Sequence, residues 1–293
     1  IKKYHPDTPV ILGGLSATYY HEEIVRRYPF IDFVVRGDST EKPLLQLLRL
    51  IKEGGNFETI PNLTWRDKGN EIRINPLTYV PENLNDIAID YRHIMKKVVR
   101  YVDPTGYQPF IDWYTYPVTA VFTCRGCLYR CKTCGGSSPT FQSMANRQKP
   151  AYRDPKLLAQ DIFNISDHLH APIMIIGDIF QPGEEYATTF LHEMKRKPIT
   201  NHVAFEFFVP PSRDHLKRIA DSILNFNIEI SPESHDEDVR RAFGRPYNNQ
   251  ALERMITDAI DLGCKRIDLF FMIGLPKQTY GSVLGTVDYC HSL

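Results

Sequence analysis

From Tyr116 onward, short apolar runs alternate with helical periodicities. VTAVFT (118–123), PIMIIGD (172–178), VAFEFFV (203–209), NIEIS (227–231) and KRIDLFFMIG (265–274) are too continuously apolar for strands with one wet face. Parallel strands buried on both faces read this way. Between them lie helices. Asp154-Pro155 supplies an N-cap and an N1 proline, with Leu158, Ile162 and Ile165 on one face. Ser212 opens another helix with Leu216, Ile219, Ala220 and Ile223. A third carries Leu252, Met255, Ile256 and Ala259 and stops at Gly263. This grammar predicts a parallel α/β sheet or barrel whose first five strands are present.

Residues 9–52 show the same grammar in miniature. PVILGG is an apolar run closed by Gly13 and Gly14, and Ser16 can cap a following helix, ATYYHEEIVRRY. IDFVVRGD is a second buried strand, followed by a helix with Leu44, Leu47, Leu48 and Ile51 at i, i+3, i+4 and i+7. Residues 54–112 break the pattern: NLTWRD and EIRINP read as a hairpin turning at Lys68-Gly69-Asn70, followed by a polar, proline-bearing connection. The division predicted is 1–53, a linker region with a hairpin over 54–115, and a third region over 116–293.

The chain has 293 residues, of which 42% are hydrophobic and 24% charged. Lys+Arg and Asp+Glu balance at 35 each, so no global basic field draws nucleic acid. No stretch approaches the roughly 18 apolar residues of a membrane span. The chain opens at Ile1 and closes at Leu293 in what reads as the start of a helix, so a piece of a longer protein is expected.

Four of the six cysteines, Cys124, Cys127, Cys131 and Cys134, fall within eleven residues, and Cys264 and Cys290 lie far away. Reduced thiols in the cytoplasm are the expectation. Two ligand sets overlap here. Paired Cys-x2-Cys knuckles make a four-cysteine zinc or iron–sulfur binding module, but their connecting arm is only Leu-Tyr-Arg. The other set is Cys127-x3-Cys131-x2-Cys134, with Cys124 a bystander. Three thiolates can hold three irons of a [4Fe–4S] cube and leave the fourth open, as a catalytic rather than structural site requires. The loop follows directly on the first strand of the series, at the end where parallel barrels keep their active sites.

Cys127-LYR-Cys131-KT-Cys134 resembles the CxxxCxxC signature of the radical S-adenosylmethionine (radical SAM) superfamily. VFTCRGCLYRCKTC is similar to the TSRGCxxxCxxC form of its cobalamin-binding branch, with Cys124 at the serine position. The resemblance implies a partial (β/α)6 barrel preceded by the C-terminal part of a Rossmann-like cobalamin-binding domain. It also implies a [4Fe–4S] cluster on the three cysteines, SAM on the open iron, and reductive cleavage to a 5′-deoxyadenosyl radical. Thr133 stands where the family usually has an aromatic residue beside the adenine.

Ile176-Gly177-Asp178 partly matches the Gly-Gly-Glu-like motif that receives the SAM ammonium; its plainer reading is a capped turn. Glu233-Ser234 with Arg245 resembles the G-x-E-S…R pattern that meets ribose and carboxylate. A helix cap at Ser234 and a solvated cation at Arg245 are the bland alternatives. Gly274, in Met272-Ile273-Gly274-Leu275-Pro276, is similar to the turn backing the adenine. Glu206 is an acid in the third strand, needing a partner if it faces the lumen. In region 9–52, Gly13 and Gly14 match the glycines that approach the corrinoid tail, whereas His5 and His21 do not match the family's DxHxxG cobalt-ligand loop. The resemblance thus implies a cobalamin-associated enzyme for methyl transfer or rearrangement on a small molecule, fed by a flavodoxin- or ferredoxin-type electron donor. A methylthiotransferase-like enzyme and the non-enzymatic metal module are the alternatives. No residue is singled out as the catalytic acid or base.

Overall fold

The computed structural model describes residues 1–93, 96, 100 and 119–293. The expected boundary at 115/116 and the start of the VTAVFT run at Val118 lie outside the described residues. The chain divides into two compact units, one of Ile1–Asn83, Arg125–Arg130 and Cys134–Ala151, the other of Leu84–Cys124, Cys131–Thr133 and Tyr152–Leu293. Among the described residues no helix is long and apolar enough to cross a membrane.

The first unit is built on a four-stranded sheet in chain order: β1 (Ile11–Leu12), β2 (Phe33–Val35), β3 (Leu63–Arg66) and β4 (Ile72–Ile74). β1 and β2 are parallel, and β3 and β4 form the expected hairpin. The hairpin pairs antiparallel onto β2, with Phe33 opposite Trp65, so it extends the sheet and does more than link. The alternation of β2 divides its side chains between two cores. Phe33 and Val35 pack with Leu47 of α3 (Glu41–Glu53), Leu63 and Trp65, while Val34 joins Ala17 and Val25 on the other face. Leu48 departs from the expected apolar face and is 49% exposed.

Ser16 is not a cap. The helix starts two residues earlier than expected, α1 being Leu15–Tyr19, with Gly14 at the N-cap and φ of 94°. A residue of positive φ two positions after β1 turns the chain sharply, which needs glycine and leaves Ser16 inside the helix. The expected single helix breaks at Tyr20 and resumes as α2 (His21–Arg27). The same unit contains α4 (Ser138–Ala145), which packs against α1.

The second unit is a five-stranded, wholly parallel sheet made of β5 (Thr119–Phe122), β8 (Ile173–Ile176), β9 (Val203–Phe207), β10 (Phe226–Glu233) and β11 (Ile267–Phe271). Two short strands, β6 (Cys124–Arg125) and β7 (Ala151–Tyr152), form a ladder of their own. Sheet order equals chain order from β5 to β11. With the near-universal right-handed crossover, that order puts every connecting helix on one face, as in a barrel wall.

The connecting helices are α5 (Pro155–Ser166), α6 (Glu184–Arg196), α7 (Arg213–Ala220), α8 (Glu237–Phe243) and α9 (Asn249–Asp261), with α10 (Tyr280–Ser292) last. The expected caps form: Asp154 accepts from Lys156 and Leu157 N–H ahead of Pro155, and Ser212 accepts from His215 N–H. Val121, Ile175, Phe205, Ile228 and Ile267 lie side by side across the sheet in that order. The first four are buried in the core with Leu158, Ile162, Phe190 and Leu216. Residues offset by one position point to the other face. There Glu206, Glu229 and Asp268 stand in register on adjacent strands. Burial, then Asp268 and Glu206, push the Glu229 carboxyl above its usual range.

Candidate cofactor site

The functional candidates of the second unit sit at the C-terminal ends of its strands. β5 runs out into Thr123 and Cys124, beside the end of β8: Thr123 N–H donates to Ile176 O (3.0 Å), and its hydroxyl donates to Gly177 O (3.1 Å). Gly177 has φ of 94°, and a Cβ there would come within 3.0 Å of the Cys124 sulfur. Cys124 thus packs on the backbone of the neighbouring strand end, and Gly177 must be glycine for two reasons: its conformation and its close approach.

Gly177 N–H donates to Glu206 Oε2 (2.7 Å). Glu206 therefore has the partner that an acid on the inner face requires, and it is tied to the Gly177 turn. Burial pushes its carboxyl up, and the nearby Arg245 pulls it back down. Asp178, 6% exposed, accepts from Phe180 N–H (2.8 Å). It does not cap the next helix, whose N-cap is Gly183. It closes a tight turn instead. Burial is the largest influence on Asp178 and raises its carboxyl from 3.8 to about 6.

The end of β10 is unusual. The strand is longer than NIEIS and runs through Pro232 to Glu233, with a register shift against β11 after Ile230. Glu233 is 5% exposed and adopts φ of 69°. A non-glycine residue with positive φ is uncommon, and its surroundings must hold it there. Its Oε1 lies 3.7 Å from Arg245, whose guanidinium also donates to Phe208 O (3.2 Å) and stacks over the Phe208 ring. Arg245 is 7% exposed, so it is not a solvated cation. Burial raises the Glu233 carboxyl, opposed by Arg245. Ser234 is fully buried and accepts from Asp236 N–H (3.2 Å); Asp236, not Ser234, caps α8.

Asp178, Gly177, Glu206, Arg245 and Glu233 thus form one connected series across the ends of β8, β9 and β10. Gly274, with φ of 95°, donates to Gln278 Oε1 (2.7 Å) in a turn beyond β11, with open space where its Cβ would be.

Two residues of this region were missed by sequence reasoning. Gly244 has φ of 123°, and a Cβ on it would lie 3.1 Å from Cys131 Cα. Its neighbour Phe243 accepts from Lys132 N–H (2.8 Å), and the Cys131 thiol lies 4.0 Å from Gly244 O. The glycine in RRAFGR was the available signal. Arg240 is fully buried and donates to Pro232 O, Ser234 O, Tyr247 O and Asn249 Oδ1.

The six cysteines form no disulfide. Cys127 Sγ accepts from Tyr129 N–H (3.3 Å) and Cys134 Sγ from Gly136 N–H (3.4 Å), both within the first unit. Cys131, in the second unit, is 6% exposed. Thr133 is exposed and adopts φ of 64°. Among the described residues no three His, Cys, Asp or Glu side chains gather closely enough to ligate a single ion. A cube-shaped cluster spreads its irons over several corners and needs its thiolates further apart than one ion does. Backbone N–H groups aimed at two sulfurs, and a glycine cradle under Cys131, suit thiolates bound to iron. In the first unit, Gly13 and Gly14 close β1; a Cβ on Gly13 would meet Val35 O at 3.7 Å, and Gly14 faces open space.

Asp178 gives a testable pH dependence. Its folded value exceeds its unfolded one, so its stabilising contribution is complete below 3.8 and is lost as pH rises through about 6. The loss is on the order of 3 kcal/mol for the cofactor-free protein. Asp178→Asn should hold its urea midpoint where the unaltered chain loses ground. Parallel midpoints for the two proteins from pH 4 to 7 would contradict this.

A profile of the radical SAM superfamily matches residues 121–290. Among curated proteins, an uncharacterized methyltransferase of Pyrococcus horikoshii is 26% identical over 136 residues, covering 46% of this chain and 27% of the relative. The anaerobic magnesium-protoporphyrin IX monomethyl ester cyclase of Synechocystis is 23% identical over 157 residues, covering 54% and 28%. Among solved structures, the radical S-adenosylmethionine methyltransferase TsrM of Kitasatospora setae superposes with a TM-score of 0.69 at 17% identity, covering 98% of this chain and 54% of that one. OxsB, a cobalamin-dependent S-adenosylmethionine radical enzyme, gives 0.67 at 12%, covering 95% and 38%. The chain spans about a quarter of the curated relatives and at most about half of these structures.

Proposed function

The chain belongs to the radical SAM superfamily, and on that premise we propose that it reductively cleaves S-adenosylmethionine at a [4Fe–4S] cluster held by Cys127, Cys131 and Cys134. The observation that carries this reading is the position of the Cys-x3-Cys-x2-Cys loop. It begins at the C-terminal end of the first strand of a five-stranded parallel sheet, and buried acids occupy the corresponding ends of later strands. When bound, cluster and SAM supply an electron transfer that breaks the S–C5′ bond and yields a 5′-deoxyadenosyl radical.

This chain's residues bind and orient. Asp178 and the Gly177 turn receive the SAM ammonium, with Glu206 fixing that turn through its bond to Gly177 N–H. Glu233, Ser234 and Arg245 meet ribose and carboxylate. Thr133 flanks the adenine, and the Gly274 turn backs it. Gly13 and Gly14 take the tail of a cobalamin. The overall reaction is methyl transfer or rearrangement on a small molecule, and the methyl-transfer reading is supported by the Pyrococcus methyltransferase and by TsrM. An electron donor of flavodoxin or ferredoxin type and a cytoplasmic setting suit six thiols and an oxygen-sensitive cluster.

Anaerobic reconstitution followed by metal and sulfide analysis tests the reading. Iron and sulfide in cluster ratio, with 5′-deoxyadenosine formed from SAM and dithionite, is the expected result. Zinc without iron or sulfide would overturn it in favour of a metal-stabilised binding module. Within the reading, Asp178→Ala should weaken SAM binding by about one to two decades, because charge-assisted hydrogen bonds contribute roughly 1.5–3 kcal/mol. Cluster content should stay intact. Unchanged SAM affinity would reduce Asp178 to a turn residue.

A further inference from the structure

Cys127 is surrounded by an arrangement that neither its spacing nor its coordination requires. Two residues before it, Arg125 pairs with Glu41 at the start of α3 (2.6 Å). One residue before it, Gly126 has φ of 92° and lies against the stem of Arg147, where a Cβ would come within 2.8 Å of Arg147 Cδ and 3.1 Å of Pro150 Cα. Arg147 is 3% exposed. Its guanidinium forks onto both oxygens of Asp38 and donates to Ser39 Oγ (3.2 Å) and Pro81 O (2.9 Å).

The loop that carries Asp38 is itself fixed. Gly37 N–H donates to Thr18 Oγ1 (2.9 Å), whose hydroxyl donates to Gly14 O (2.9 Å). On the far side of Cys127, Tyr129 N–H reaches the Cys127 sulfur while Tyr129 O accepts from Ser138 N–H (2.8 Å) at the start of α4. Arg147 follows the end of that same helix, its N–H bonded to Phe141 O (3.1 Å). Cys127 therefore lies on a ring closed by α4, with Arg147 as the buried pin. All of these residues belong to the first unit.

We propose that Asp38 and Arg147 are positioning residues for Cys127. The buried pair presses the Arg147 stem against Gly126 and so fixes where the next residue presents its sulfur. A guanidinium suits this task, because its planar fork holds one orientation on a carboxylate, whereas a lysine ammonium acts as a point charge. The inference rests on the cluster assignment above, but its first readout does not.

In the cofactor-free full-length chain, alkylation of Cys127 and Cys134 by iodoacetamide is followed by mass spectrometry in the unaltered protein and in Arg147→Met, which keeps the stem length and loses the fork. The rate at Cys127 should rise several-fold relative to Cys134, with Arg147→Lys intermediate. After anaerobic reconstitution, Arg147→Met should retain less iron on gel filtration, and its reduced cluster should show a broadened, shifted electron paramagnetic resonance spectrum. If Arg147→Met does not fold, Asp38→Asn preserves the shape of the pair and decides by the same ratio. A merely structural pair would lower the melting temperature while leaving the Cys127 to Cys134 ratio and the spectrum unchanged, and that result overturns the proposal. An unaltered chain that takes up no iron–sulfur cluster overturns the cluster assignment instead, and it is told apart because the alkylation ratios are read without any cluster.

Discussion

Alanine at Cys127, Cys131 or Cys134 is expected to abolish the visible iron–sulfur absorbance and all cleavage of SAM, whereas alanine at Cys124 should leave most of both. The difference follows from where each sulfur sits. Cys127 and Cys134 each receive a backbone N–H at the sulfur, from Tyr129 and Gly136. Such bonds stabilise a thiolate and tune a cluster bound to it. Cys131 is held from behind by Gly244 and by the Lys132–Phe243 backbone bond. On the proposed assignment of three protein ligands and one open iron, the loss of any one of these thiolates leaves a second iron unsupported. Cys124 instead packs against the Gly177 backbone at the end of β8. On the three-ligand assignment its truncation removes no ligand. Iron content, absorbance and 5′-deoxyadenosine yield for the four variants decide the matter. Equal loss from all four would overturn the three-ligand assignment in favour of a site built from all four cysteines.

The features legible in the sequence were those governed by neighbours in the chain. The five strands of the second unit announced themselves as continuous apolar runs, which suits β9 and β10, buried on both faces, whereas β5 and β8 are buried at alternate positions and no residue of β11 is buried. The Asp154-Pro155 and Ser212 caps could be read because a cap is a contact over two or three residues. Features that depend on distant partners were hidden. Nothing local tells that the Leu63–Arg66 strand will pair with Phe33–Val35, or that Glu206 will be met by the N–H of Gly177. Gly244 is an ordinary helix-ending glycine until the fold brings it to Cys131, 113 positions away. Position in the chain suits both Asp178 and Ser234 to a helix cap, yet neither caps one: the chain makes a further turn before each helix begins. Arg245 offered solvation as its bland alternative, and burial beside Glu233 and Phe208 replaces it.

Arg240→Met is expected to cost about 3–5 kcal/mol of folding stability, a loss in the range reserved for broken buried polar networks. Arg240 is 0% exposed, and burial is the largest influence lowering its guanidinium from the ordinary arginine value. Among the described residues no carboxylate contacts it directly. Its charge is met by carbonyl dipoles: Ser234 O at 2.6 and 2.9 Å, Pro232 O at 3.2 Å and Tyr247 O at 3.0 Å, with Asn249 Oδ1 at 2.6 Å. The guanidinium also lies over the Tyr247 ring. Methionine keeps the apolar stem but strips these acceptors of their donor, and each buried polar group left unsatisfied costs about 1–3 kcal/mol. Two of the carbonyls flank Glu233, whose φ of 69° is held only by what surrounds it. Loss of Arg240 therefore releases the corner that presents Glu233 to Arg245, and the SAM affinity proposed for that corner should fall with the stability. Arg240→Lys supplies charge without the fork and should recover only part of either. The measurements are urea unfolding of the cofactor-free protein and SAM titration of the reconstituted one. A stability change below about 0.5 kcal/mol, typical of surface substitutions, would mean that water satisfies these carbonyls and that Arg240 does not hold the corner.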